Sequence, residues 1–252
     1  MNPGEAPPPV DPARIRQRLA AGLPVLDAAF DGLLPEALRR PSARHWTSVA
    51  VASLASQWLE AAGAARVLDL GSGAGKFCTV GALTSGLAFT GLEHRAALVA
   101  AARDLARDLG VAERVTFRAE AAPAEPPPGF DALYLYNPFG ENLLAPAGHL
   151  DGTVELNRRR FNWEVARFEA WLDRLPPGTH LVTLNGFGGR IPDSFDLLQA
   201  QDTELAPLRH WRKARRRPGG AYWLELEDAT LLRHPDGSEA SLPLPAGGAG
   251  NP

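Results

Sequence analysis

The stretch Val67-Leu68-Asp69-Leu70-Gly71-Ser72-Gly73-Ala74-Gly75-Lys76-Phe77-Cys78 constrains this chain more than any other. A short apolar run carries an acid and breaks into three glycines at alternate positions, which reads as a strand, a tight turn and the start of a helix. Glycine tolerates positive φ and has no Cβ, so a ligand can lie directly on such a turn while the following helix offers free backbone N–H groups. The string is a cradle of nucleotide size, and it opens an α/β unit.

Three kinds of glycine-rich cradle compete for the string. A phosphate-binding P-loop places glycine five residues before the Gly-Lys pair and Ser or Thr after it, but Leu70 and Phe77 occupy those positions. A dinucleotide fingerprint spaces its third glycine one residue further along than Gly75. Downstream, Phe89-Thr90-Gly91-Leu92-Glu93 is a second strand ending in an acid, 22 positions after Gly71. That is close to the offset of about 20 at which an acid meets a ribose hydroxyl.

Together these two motifs resemble the first motifs of class I S-adenosylmethionine-dependent methyltransferases. The resemblance implies that Asp69, Gly71, Ser72, Gly73 and Gly75 hold the methionine end of S-adenosyl-L-methionine, with Asp69 ordering its ammonium group. It implies that Glu93 takes both ribose hydroxyls, since a carboxylate offers two acceptors, and that Glu120 meets the adenine amino group; a surface acid ahead of proline-rich coil is the other reading of Glu120. Asn137-Pro138-Phe139 resembles the (Asp/Asn)-Pro-Pro-(Tyr/Phe) motif of amino-nitrogen methyltransferases with one proline missing, and also the fourth motif of the non-SET histone-lysine methyltransferases. In that setting Asn137 borders both cofactor and acceptor, Pro138 stiffens a carbonyl, and Phe139 offers an aromatic face to developing positive charge. A plain turn with a packed Phe139 is the alternative.

Composition narrows the partners. The chain has 252 residues, 45% of them hydrophobic, and a formal net charge of −3, enough for a full core with no global attraction to nucleic acid or an anionic membrane. Cys78 is the only cysteine, so an internal disulfide and a multi-cysteine zinc site are both excluded. Its place in the first helical turn would lower a thiol pKa if exposed; as a buried residue it is a small filler. No apolar run approaches the roughly 18 residues of a membrane span, and no charged start precedes an apolar segment, so a cytoplasmic location is expected.

Along the chain, strands are expected at Val67–Leu70, Phe89–Glu93, 114–117, Phe130–Tyr136 and 179–184, with helices between most of them. This alternation predicts an α/β, Rossmann-like, doubly wound and mostly parallel seven-stranded sheet. A C-terminal antiparallel hairpin is expected from 195–203 and 221–227, around a basic segment at 209–217. Residues 1–46 read as a proline-rich arm and helical cap, with Thr47 or Ser48 capping the next helix. Residues 47–234 read as the methyltransferase domain and 235–252 as a disordered tail. His45, Trp46 and Thr47 would form a lid, unless Trp46 is only a packing staple. The basic segment, with Arg212, Lys213, Arg215, Arg216 and Arg217, is either a solvated loop or a phosphate grip. The expected activity is methylation of an amino nitrogen on a small molecule or protein. A nucleic-acid methyltransferase and a non-catalytic cofactor-binding protein are the alternatives.

Overall fold

The computed structural model describes residues 10–215, 220–225 and 230–241. Four helices come first: α1 (Pro12–Ala20), α2 (Asp27–Asp31), α3 (Glu36–His45) and α4 (Val49–Ala61). The alternating part follows with β1 (Arg66–Leu70), α5 (Lys76–Thr84), β2 (Ala88–Glu93), α6 (Ala96–Asp108), β3 (Val115–Ala119), β4 (Ala132–Tyr136), α7 (Arg158–Arg174) and β5 (His180–Leu184). Six strands complete the described chain: β6 (Arg190–Pro192), β7 (Phe195–Asp202), β8 (Pro207–Lys213), β9 (Tyr222–Glu225), β10 (Thr230–Arg233) and β11 (Glu239–Ser241).

Local chemistry explains the helix starts. Asp11 caps α1 by accepting the Ala13 N–H at 2.9 Å, with Pro12 at the first helical position. Asn157 caps α7 through the Arg160 N–H. At α4 the cap is Ser48, while the Thr47 hydroxyl instead bonds the buried Tyr134 hydroxyl at 2.7 Å. Between β3 and β4 the chain crosses through a proline-rich loop without a helix. Side chains of α7 hold that loop: Trp171 Nε1 donates to Ala124 O and Arg167 Nη2 to Ala122 O, both at 3.0 Å.

Seven strands form the main sheet in the order β3-β2-β1-β4-β5-β8-β7. Neighbours from β3 to β5 are parallel, and β8 runs antiparallel between β5 and β7. The fold class is therefore the one expected. One apolar cluster packs α4, α5 and α6 on one face around Phe77, Val80 and Leu105, and the other gathers Phe168, Trp171, Phe187 and Trp211 beneath α7.

Two expectations at the C-terminal end are corrected. Residues 195–202 pair with β8, not with 221–225, residues 226 and 227 lying outside the described residues, and β9 joins β6, β10 and β11 in a separate four-stranded antiparallel sheet. The reason lies in the segment read as basic loop: Leu208, Arg209, His210, Trp211 and Lys213 are buried, and Lys213 Nζ donates to Leu172 O and Ser194 Oγ at 2.8 Å. Arg209 and Lys213 thus lie inside a strand paired on both edges, while Arg212 and Arg215 face solvent. Likewise β11 falls inside the segment read as a tail. The Asp236 carboxylate accepts from Ser238 N and Oγ and so closes the turn that pairs β10 with β11. Residues 1–9, 242–252, Arg216 and Arg217 lie outside the described residues.

Candidate active site

The three glycines lie where β1 turns into α5, each with positive φ: 79° at Gly71, 54° at Gly73 and 78° at Gly75. Their missing side chains serve different ends. A Cβ on Gly73 would stand 2.2 Å from the Trp46 indole nitrogen, and one on Gly75 would stand 2.5 Å from Phe117 and 2.8 Å from Ala102. Gly75 thus lets α5 seat against β3 and α6, and Gly73 lets Trp46 lie across the turn. The expectation that the space beside Gly73 belongs to the cofactor is corrected: the indole of Trp46 fills it.

The cleft at the C-terminal ends of β1, β2 and β4 holds about 870 Å³ including the solvent at its mouth. Ligands of open α/β sheets bind at this place in the topology. Gly71, Gly73, Glu93, Glu120, Asn137, Pro138 and Phe139 all border it. Asp69, Ser72 and Gly75 stand behind the wall. Asp69 is 3% exposed and accepts from the Cys78 thiol at 3.3 Å. Burial raises the Asp69 pKa to about 7, with the thiol bond opposing and the Glu93 charge adding. Burial likewise pushes the Cys78 thiol well above its usual range, so Cys78 is an inert filler and donor.

Glu93 is buried, and both of its oxygens are anchored by backbone. Oε2 accepts the Gly73 N–H at 3.1 Å and Oε1 the Arg95 N–H at 2.9 Å. A carboxylate has about four lone-pair sites, so two acceptor positions remain. Glu120 sits at the rim, half exposed, 3.7 Å from Arg118. Asn137 takes φ +37°, a left-handed conformation that Asn tolerates better than most residues. Its N–H donates to Gly186 O and its C=O accepts from Gly140 N, which ties the ends of β4 and β5 together. Its carboxamide makes no hydrogen bond among the described residues. Phe139 is nearly fully buried and packs on Phe168, ring centres 6.2 Å apart; packing is its main structural role, with one edge on the cleft.

Several wall residues escaped the sequence reading. Arg95, just after β2, forms a bidentate pair with Glu141 at 3.0 Å on both nitrogens and reaches Asp151 through Nε at 3.1 Å. This clasp fastens the loop after β4 across the cleft, and Glu141 also accepts the Leu150 N–H. On α7, Glu164 accepts from Asn142 at 2.9 Å and from Arg160 at 3.0 Å. His94 borders the cleft as well, as does His45, which the sequence offered as part of a lid, and burial lowers the pKa of both. The clasp joins residues 46 and 56 positions apart through loops, so no periodicity announces it.

No protein-family model and no curated protein matches the chain. Solved structures do. An O-methyltransferase from Bacillus cereus in complex with S-adenosylhomocysteine aligns at 15% identity and a TM-score of 0.50, covering 79% of this chain and 97% of that one. An RNA methyltransferase from Salinibacter ruber in complex with S-adenosyl-L-homocysteine aligns at 25% identity and a TM-score of 0.45, covering 66% and 93%. The fold is that of the class I, Rossmann-like methyltransferases. Among the described residues no helix is long and apolar enough to cross a membrane.

Proposed function

We propose that this protein is an S-adenosylmethionine-dependent methyltransferase acting on an amino nitrogen of a small molecule or protein. The carrying observation is Glu93, whose carboxylate is fixed by the Gly73 N–H of the turn and still has acceptor positions beside the cleft. Glu93 would hold the ribose, the backbone at Gly71 and Gly73 the methionine portion, and Glu120 the adenine edge. The cofactor supplies a methyl group on a sulfonium, which passes to the acceptor's lone pair as the C–S bond breaks and its electron pair stays on sulfur. Asn137, with its unengaged carboxamide oxygen, orients the N–H groups of the acceptor, and the rigid turn around it holds the nitrogen in line.

Charge supports a neutral or cationic acceptor. Among the described residues, four carboxylates border the cleft, Glu93, Glu120, Glu141 and Glu164, against one guanidinium, Arg95. In the basic segment that would have served nucleic acid, Arg209 and Lys213 are buried within β8, which withdraws them from any phosphate. Calorimetry with S-adenosylhomocysteine, followed by a screen of amine, peptide and RNA acceptors for methyl transfer, tests the reading. Absence of cofactor binding overturns it; binding with no transfer to any acceptor favours the cofactor-binding alternative; transfer to RNA alone replaces the acceptor class.

A further inference from the structure

His45 ends α3 beside Trp46, the residue that lies across Gly73, and borders the same cleft as Asn137. Its imidazole is half-buried and makes no hydrogen bond among the described residues. Three of the carboxylates bordering the cleft are engaged, and Glu120 stands half exposed at its rim. Glu93 accepts two backbone N–H groups, Glu141 is held by both Arg95 nitrogens, and Glu164 is shared by Arg160 and Asn142. His94 stands against Glu93, Nε2 to Oε1 3.6 Å, with Arg160 on its other nitrogen. An amide such as Asn137 orients a proton but does not take one. Of the two histidines that border the cleft, His45 is, among the described residues, the one with neither ring nitrogen in a hydrogen bond.

We propose that His45 is the proton acceptor at the methyl-transfer end of the cleft, and that the acceptor is a weakly basic, aryl-type amine. The inference rests on the methyltransferase reading above. As the nitrogen lone pair forms its bond to carbon, the nitrogen becomes cationic. One of its protons then passes to the neutral imidazole, giving a neutral N-methyl amine and an imidazolium, so charge is conserved. Burial keeps the ring neutral against Glu141 from the loop after β4, and Arg44 on α3 and Arg95 after β2 act in the same direction as burial. Such a base does not deprotonate an alkyl ammonium, whose pKa is about 10.4 in lysine. An aryl ammonium is far more acidic, because its neutral form delocalises the lone pair into the ring, and the match is then downhill.

Sinefungin carries an amine in place of the methyl-bearing sulfonium and so places a donor at this point. In imidazole NMR titrations of the full chain, sinefungin should move the His45 midpoint to lower pH while S-adenosylhomocysteine leaves it nearly in place. His45→Phe should reduce the preference for sinefungin over S-adenosylhomocysteine about tenfold, as expected for one lost charge-assisted hydrogen bond. With S-adenosylhomocysteine bound, aniline should perturb the His45 ring signals and benzylamine should not. Equal responses to sinefungin and S-adenosylhomocysteine, or a response at His94 instead, overturn the assignment. A benzylamine response, or silence with both amines, overturns the acceptor class. Failure of both nucleosides to bind overturns the cofactor reading itself, a separate outcome.

Discussion

On the proposed reading Glu93 serves binding and Asn137 turnover, and single substitutions separate the two. Glu93→Ala removes the proposed acceptors for the ribose and also releases the Gly73 N–H. Calorimetry should show S-adenosylhomocysteine binding weakened by about 1.5–3 kcal/mol for each charged hydrogen bond lost. For Asn137 the informative variant is Asn137→Gly, which keeps φ +37° without strain. It should lower kcat about a hundredfold, on the order of 2.7 kcal/mol in the transition state, while cofactor affinity stays unchanged. Phe139→Ala should destabilise the fold by about 3–5 kcal/mol in urea titration, because the ring is part of the core beneath α7. The sequence located Glu93 and Asn137 because a strand end followed by a turn fixes where a residue stands. It misplaced Asp69, since a residue that precedes a ligand-binding turn and one that lies behind it look alike until Cys78 is seen bonded to it.

Among elements, the pairing of β5 with β8 makes stability depend on pH. His180 Nδ1 and His210 Nε2 lie 2.9 Å apart in the interior. Burial, reinforced by His180, lowers the His210 pKa to about 4, and burial also lowers that of His180. Between pH 6.5 and 4 the unfolded chain binds more protons than the folded one, so stability falls as pH falls through that window. His210 alone accounts for up to about 3 kcal/mol of this change. Urea midpoints at pH 7.5 and 4.5 check it, and His210→Leu should flatten the slope. A second prediction concerns the clasp: Arg95→Ala should leave the fold intact and speed hydrogen exchange across 140–151, because Glu141 and Asp151 lose their shared partner. The parallel strands and their helices were legible because apolar runs and turn residues alternate regularly. β8 was not, because its Arg, His and Lys residues read as solvent-facing until internal partners absorb them, and the pairing of β9 with β6 joins short segments 30 or more positions apart through side chains that carry no register signal.

For the molecule as a whole, the N-terminal helices are integral to the α/β body. Lys76, 2% exposed, starts α5 directly after the glycine turn, and its ammonium lies 2.6 Å from Asp27 and 2.7 Å from Asp31, both on α2. Asp27 also accepts the Val49 N–H, so one carboxylate joins three helices. Lys76→Met leaves Asp31 buried without its partner, at a cost of about 3 kcal/mol. Thermal unfolding should stay a single transition at a lower Tm, and S-adenosylhomocysteine affinity should fall as the turn loosens. The placement of β8 has a further consequence, for chain assembly. The strands from β3 to β5 can pair as soon as they are synthesised, yet the outer edge of β5 has no cover until residue 213 has emerged and the β7–β8 hairpin can insert. Until then a nascent chain presents five parallel strands ending in an open, apolar edge, the geometry that recruits a second copy edge to edge. A chain stopped between Leu184 and Lys213 is therefore expected to self-associate during synthesis, and one completed to Lys213 to escape that fate.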